Sequence, residues 1–106
     1  MIVALYAEFA PVTGCEPLVT RLIADYAEQV RGEPGNLQFD AHHVRGQHPS
    51  VFVFERYRDR AAFETHLASD HGRVFNQRLA PLIIGGASRL TMLDPIPSTD
   101  SEEPVQ

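Results

Sequence analysis

With 106 residues, 43% of them hydrophobic and 22% charged, the chain has the size and composition of one globular domain. Nine basic residues stand against 14 acidic ones for a formal net charge of −5. No basic cluster is present, so neither nucleic acid nor a membrane surface is an expected partner. The lone Cys15 excludes an intrachain disulfide. No apolar run approaches the roughly 20 residues of a membrane span, and residues 1–9 carry Glu8 and no basic stretch, so no signal peptide is read and a cytoplasmic location is expected.

Residues 2–9 are short and mostly apolar and predict a first strand. Residues 13–32 predict a helix: Leu18, Leu22, Tyr26 and Val30 recur every four residues with Val19 and Ile23 beside them. Thr13 and Glu16 have the spacing of a capping box, and Pro17 is tolerated in a first turn. Gly32 to Gly35 stops that helix. Residues 36–45 predict strand two, with Leu37, Phe39, Ala41 and His43 on one face and Gln38, Asp40, His42 and Val44 on the other. Residues 46–49 turn the chain into strand three, residues 50–58. There Val51, Val53, Glu55 and Tyr57 share one face, while Phe52, Phe54, Arg56 and Arg58 share the other. Asp59 predicts an N-cap for a helix over residues 60–69, with Phe63, His66 and Leu67 inward. Asp70 predicts a second cap, for a helix over residues 71–79. Residues 87–93 predict strand four. Residues 95–106, rich in proline and acid, form an expected flexible tail after a domain over residues 1–94.

The order βαββαβ, with the second helix broken in two, is the ferredoxin-like α+β arrangement: a four-stranded antiparallel sheet with helices on one face. A sheet with one bare face in so small a domain predicts a homodimer, because the bare face must be covered.

A carboxylate on a face otherwise lined by Val51 and Val53 is costly to bury unless it is paired. Glu55 therefore reads either as a base of raised pKa or as half of a structural ion pair. His66, on the inner helix face near Phe63, suits proton transfer near neutral pH or a satisfied core-edge position. His71 stands at a helix start, where it either lines a pocket mouth or is a plain first-turn residue. His43 shares the parity of Phe39 and so can reach a cavity, whereas His42 faces away and His48 lies in a turn. His66 and His71 are five residues apart, not the four of a helical metal pair, and no cysteine cluster supports them, so no metal centre is predicted. Glycine-rich phosphate cradles are absent, and Ser50, Ser69 and Ser88 lack a nucleophile elbow.

The stretch Glu33-Pro34-Gly35-Asn36-Leu37-Gln38-Phe39-Asp40, then Pro49, then Glu55-x-Tyr57-x-Asp59, then Phe63, His66 and His71, resembles the antibiotic-biosynthesis-monooxygenase family. The resemblance implies a dimeric α/β barrel in which two sheets pack together, with one cavity per subunit between sheet and helices. It also implies oxidation of a small phenol or quinol by molecular oxygen with no cofactor. His66 or Glu55 would then be the base, with Tyr57 as the third catalytic group. Asn36, Phe39, His43, Val53, Phe63, His71, Phe75 and Gln77 would bind the substrate. Several oxygenases of the family carry tryptophan where this chain has Tyr57. The Gly-Asn-Leu-x-Phe-Asp stretch, the Glu-x-Tyr pair and the two histidines are similar to a branch that isomerises a phosphorylated autoinducer-2 sugar. Proton transfer beside a carbonyl is thus an alternative for the same residues, with Arg45, Arg56, Arg58 and Arg73 as available cations. A third reading is a non-catalytic dimeric small-molecule-binding protein. Haem-degrading relatives match less well, since they use an axial histidine where this chain has Asn76.

Overall fold

The alternating residues of the third predicted strand form β3 (Ser50–Tyr57), and the sheet is built around it. A computed structural model describes residues 1–97. Residues 98–106 lie outside the described residues, and with them most of the predicted tail. β1 (Val3–Phe9) pairs antiparallel with one edge of β3, and β2 (Asn36–Val44) with the other. β4 (Arg89–Leu93) adds to the far side of β1, giving the order β2–β3–β1–β4. This is the predicted ferredoxin-like α+β sheet. Its register sets Phe39, Glu55, Leu5 and Met92 in one row across all four strands.

Helix α1 (Glu16–Arg31) lies on one face of the sheet, joined there by α2 (Arg60–Leu67), α3 (Asp70–Leu79) and a 3-10 turn over Ala80–Leu82. Val19, Ile23, Tyr26, Ala27 and Val30 of α1 pack against Ala7, Phe9, Phe39, Val51 and Val53 of the sheet, with Phe75 and Leu79 of α3 beside them. A smaller cluster joins Leu5, Tyr57 and Phe63. Each large apolar side chain buried this way contributes about 1.5–3 kcal/mol before entropy is counted.

Five local expectations are corrected. The inner stripe of α1 runs through Val19 and Ile23, not through Leu18, which is 53% exposed. Residues 18, 19, 22 and 23 are all apolar, and contact with the sheet selects the second of each pair. The helix starts at Glu16 and not at residue 13, because Gly14 has φ +92°. The Glu16 carboxylate accepts the Gly14 N–H at 2.9 Å, in place of a capping box with Thr13. Leu37 faces outward because a β-bulge between Asn36 and Gln38 shifts the register there. Ser69, not Asp70, caps α3: its hydroxyl accepts the Gly72 N–H at 3.1 Å and donates to the His66 carbonyl at 2.8 Å.

Asp59 caps α2 as predicted, its carboxylate accepting the Ala62 N–H at 2.8 Å. Leu67, expected inward, is 56% exposed at the end of α2. Among the described residues no helix covers the other sheet face, and its Tyr6 and Phe52 rings stack at 4.8 Å.

Candidate active site

β3 presents Val53, Glu55 and Tyr57 to the helix layer by simple alternation, and α2 lowers His66 onto them. Two features hold α2 close. The Gly35 carbonyl accepts the Arg58 N–H at 2.8 Å, and Gly35 itself lets Ala62 approach so nearly that a Cβ there would lie 2.2 Å from the Ala62 Cβ. Tyr57 is fully buried, Glu55 is 4% exposed and His66 is 7% exposed. The Tyr57 hydroxyl donates to Glu55 Oε1 at 2.8 Å, and the same oxygen lies 3.7 Å from His66 Nε2. The other ring nitrogen, Nδ1, is 3.1 Å from both oxygens of Glu33, whose Oε2 is also 2.6 Å from His71 Nε2. Five side chains thus form one chain of polar contacts: Tyr57, Glu55, His66, Glu33, His71.

Burial is the main electrostatic force here. It pushes the Glu55 carboxyl up to about 7, with the Tyr57 hydrogen bond opposing and the Glu33 charge assisting. It pushes the Tyr57 hydroxyl up, with the Glu55 charge adding to it, and raises Tyr26 in the same way with help from Glu33 and Glu55. It pushes His66 down, against the hydrogen bond and charge of Glu33. At neutral pH the imidazole is therefore unprotonated, and the carboxyl beside it is near its midpoint. That is the arrangement of an acid–base pair.

Glu55 also has a consequence for stability. Its carboxyl holds a proton more tightly in the folded chain than at its ordinary value of 4.5. The contribution is therefore fully present below about pH 4.5 and is lost as pH rises through about 7. His66 has the opposite sign: its folded value is depressed, so its contribution is present above the ordinary 6.5 and is lost as pH falls below it. Urea melts at about pH 5 and about pH 8 should find wild type losing ground to Glu55→Gln across that window, by up to about 3 kcal/mol. A pH-independent difference would show that the carboxyl titrates as it does in water.

A cavity of about 80 Å³ lies between the sheet and the helices. Leu5, Phe39, Val53, Phe63 and Phe75 make it greasy, Glu55 and His66 make it reactive, and Leu67, Asn76, Ser88 and Leu90 carry it to the surface. Leu67 and Leu90 are exposed, so the cavity communicates with solvent along β4. A separate hollow of about 540 Å³ lies between α1 and α3, lined by Tyr26, His71 and Phe75 among others. His71 is thus the outer terminus of the polar chain.

Residues 2–78 match the model of the family described as antibiotic biosynthesis monooxygenase. The chain belongs to that family. Rv0793 from Mycobacterium tuberculosis superposes with TM-score 0.83 at 24% identity, covering 94% of this chain and all of that one. PA3566 from Pseudomonas aeruginosa does so with TM-score 0.81 at 24% identity, covering 91% and 95%. A structure described as an antibiotic biosynthesis monooxygenase gives 0.80 at 21% identity, covering 92% and 100%. At these identities the likeness shows the shared fold. No curated protein matches the sequence.

Within this monooxygenase-family chain, Glu55, Tyr57 and His66 meet at one place, and Phe39, Val53, Phe63 and Phe75 line the cavity beside them. Four other expected site residues stand elsewhere. Asn36 turns its amide onto the backbone, donating to the Gln38 carbonyl at 3.1 Å beside the bulge. His43 has the inward parity but lies beyond the cavity, 3.4 Å from the Thr20 hydroxyl. Gln77 is exposed on α3. His71 faces the outer hollow and reaches the site only through Glu33. Two residues of the cluster were not singled out in the sequence. Tyr26 reads there as core, yet its ring packs flat on Phe75 at 4.0 Å and lies 6.2 Å from the His66 ring. Glu33 reads as a turn residue, and the only signal is its place in the Glu-Pro-Gly stretch.

Proposed function

We propose that the protein is a cofactor-independent monooxygenase that oxidises a small phenol or quinol to a quinone with molecular oxygen, working as a homodimer in the cytoplasm. The observation that carries the chemistry is a buried imidazole and a buried carboxyl side by side on an apolar cavity, where burial pushes His66 down from its ordinary value and Glu55 up to about 7.

Oxygen is a triplet and reacts slowly with closed-shell molecules, whereas a phenolate is rich enough in electrons to give it one directly. His66 Nε2 takes the phenol proton. The phenolate passes one electron to oxygen, and the radical pair combines to form a carbon–oxygen bond at the ring position opposite the hydroxyl. The peroxide regains a proton from His66. Loss of the carbon-bound proton with cleavage of the oxygen–oxygen bond leaves the second carbonyl and water. One phenol and one oxygen molecule thus become one quinone and one water. The work left to the protein is a base, a dry cavity and correct placement.

A cavity of about 150 Å³ holds a benzene ring, so a substrate ring seats partly in the opening past Leu67 and Leu90 rather than wholly inside. Among the described residues lining the cavity there is no lysine or arginine. That favours an uncharged ring over a phosphorylated sugar, which needs cationic contacts. An oxygen electrode with a panel of phenols and quinols tests the reading. Uptake above the uncatalysed rate is expected, and none with any of them removes it. Deuterium exchange beside a carbonyl, without oxygen uptake, would favour the isomerase.

The dimer is assigned to the sheet face opposite the helices, where Phe54 sits between Tyr6 and Asp40 in neighbouring strands. Phe54→Asp adds a charge to that face, opposite Asp40, where an unpaired buried charge costs several kcal/mol. Light scattering should find the variant shifted toward monomer. A variant that keeps the dimer mass would locate the interface elsewhere.

A further inference from the structure

Glu33 and His71 take no part in the reaction as written, yet they hold its base from behind. The Glu33 side chain is only 12% exposed, and both its oxygens lie 3.1 Å from His66 Nδ1. Its backbone is fixed on both sides: its N–H donates to the Val30 carbonyl, and its own carbonyl accepts the Asn36 N–H. From α3, His71 Nε2 lies 2.6 Å from Oε2. A carboxylate can only accept, so each of these ring nitrogens carries a hydrogen while Glu33 is ionised.

The groups that face His66 are Tyr26 from α1, Glu33 from the α1–β2 connection, Glu55 and Tyr57 from β3, and His71 from α3. Two of them are carboxyl groups, and they stand at opposite ring nitrogens. A neutral imidazole has one N–H to give. If it gave that hydrogen to Glu55, Nε2 would be blocked on the cavity side, where a base needs its lone pair. Glu33 offers two oxygens at 3.1 Å against one Glu55 oxygen at 3.7 Å, and so takes the hydrogen.

We infer that Glu33 is a positioning residue: it locks neutral His66 in the Nδ1–H tautomer, so that bare Nε2 meets the cavity, and His71 anchors Glu33 from the solvent side. The catalytic consequence rests on the proposed role of His66 as base, whereas the tautomer does not. Such second partners commonly set the tautomer of a working histidine.

The test is nitrogen NMR of the histidine-labelled protein at a pH where His66 is neutral, with its signals assigned by their loss in His66→Asn. Wild type should carry the hydrogen on Nδ1. In Glu33→Gln the amide can donate to Nδ1, and His66 should shift toward Nε2–H. His71→Phe, which removes the outer anchor, should give a mixture. In turnover, Glu33→Gln should lower kcat about tenfold or more with KM within about threefold, the pattern of lost transition-state stabilisation. Wild-type His66 with its hydrogen on Nε2 would overturn the inference. So would Glu33→Gln with unchanged tautomer and kcat. Should Glu33→Gln not fold, the wild-type spectrum and His71→Phe decide. The NMR needs no turnover, so a protein inert toward every phenol sinks the proposed function and leaves this inference to the tautomer.

Discussion

Replacing His66 with alanine is expected to lower turnover by about 10²-fold or more, the scale of a lost general base. Burial holds this imidazole below its ordinary value, so in wild type it is ready to accept a proton at neutral pH without first losing one. Glu55 cannot simply substitute for it. Its carboxyl sits near 7, is tied to the Tyr57 hydroxyl at 2.8 Å, and would face Glu33 without a ring between them. The alanine variant also loses the packing of the His66 ring on Tyr57, at a centroid distance of 4.8 Å. Some stability will therefore go with the activity. His66→Gln separates the two effects: its amide can still donate to Glu33, but it offers no titratable nitrogen. We expect His66→Gln to melt closer to wild type and to be as inactive as His66→Ala. A 10²-fold loss in kcat/KM corresponds to about 2.7 kcal/mol of transition-state stabilisation. Oxygen uptake and thermal melts on the three proteins decide the matter, and full turnover in His66→Gln would remove His66 from the role of base.

The parts of this architecture that sequence reasoning reached are those where one periodicity allows one answer. In β3 a period of two leaves Val51, Val53, Glu55 and Tyr57 no choice but a common face, but Phe52 and Phe54 make the opposite face apolar too, so the helices packed on Val51 and Val53 decide which face is inward. In α1 the apolar residues come in adjacent pairs, so two stripes fit equally well. Only contact with Phe39 and Val53 prefers Val19 and Ile23. Leu37 and the cap of α3 turned on local geometry, a bulge and a hydroxyl, that periodicity does not encode. The candidate site divides the same way. Glu55, Tyr57 and His66 stand out as polar groups on apolar faces. Glu33 lies in a turn, where a glutamate is ordinarily solvated, and becomes visible only when α2 and α3 fold across it. Asn36 has the right residue type and position, but its amide is spent on the Gln38 carbonyl beside the bulge.

Gly35→Ala is expected to damage both stability and turnover through one contact. The added Cβ would lie 2.2 Å from the Ala62 Cβ and 3.4 Å from its Cα, so backbone has to move. The Gly35 carbonyl is already held by the Arg58 N–H, which leaves α2 as the part that gives. Overpacking of this kind costs about 1–3 kcal/mol. For a domain of this size that is about 4–8 °C in melting temperature per kcal/mol. The functional cost follows from helix geometry: His66 lies one turn beyond Ala62, on the same side of α2. Whatever pushes Ala62 away lifts the imidazole from Glu55 and Glu33, and misplacing a reacting group by about 1 Å can cost about 10²-fold. Ala62→Gly alone should cost about 1 kcal/mol in helix propensity and leave turnover near wild type. In the double variant the two changes share the space, so its stability and turnover should exceed the sum of the single effects by more than about 0.5 kcal/mol. Additive losses would mean that α2 is placed by something other than this glycine, and that the seat of His66 does not depend on it.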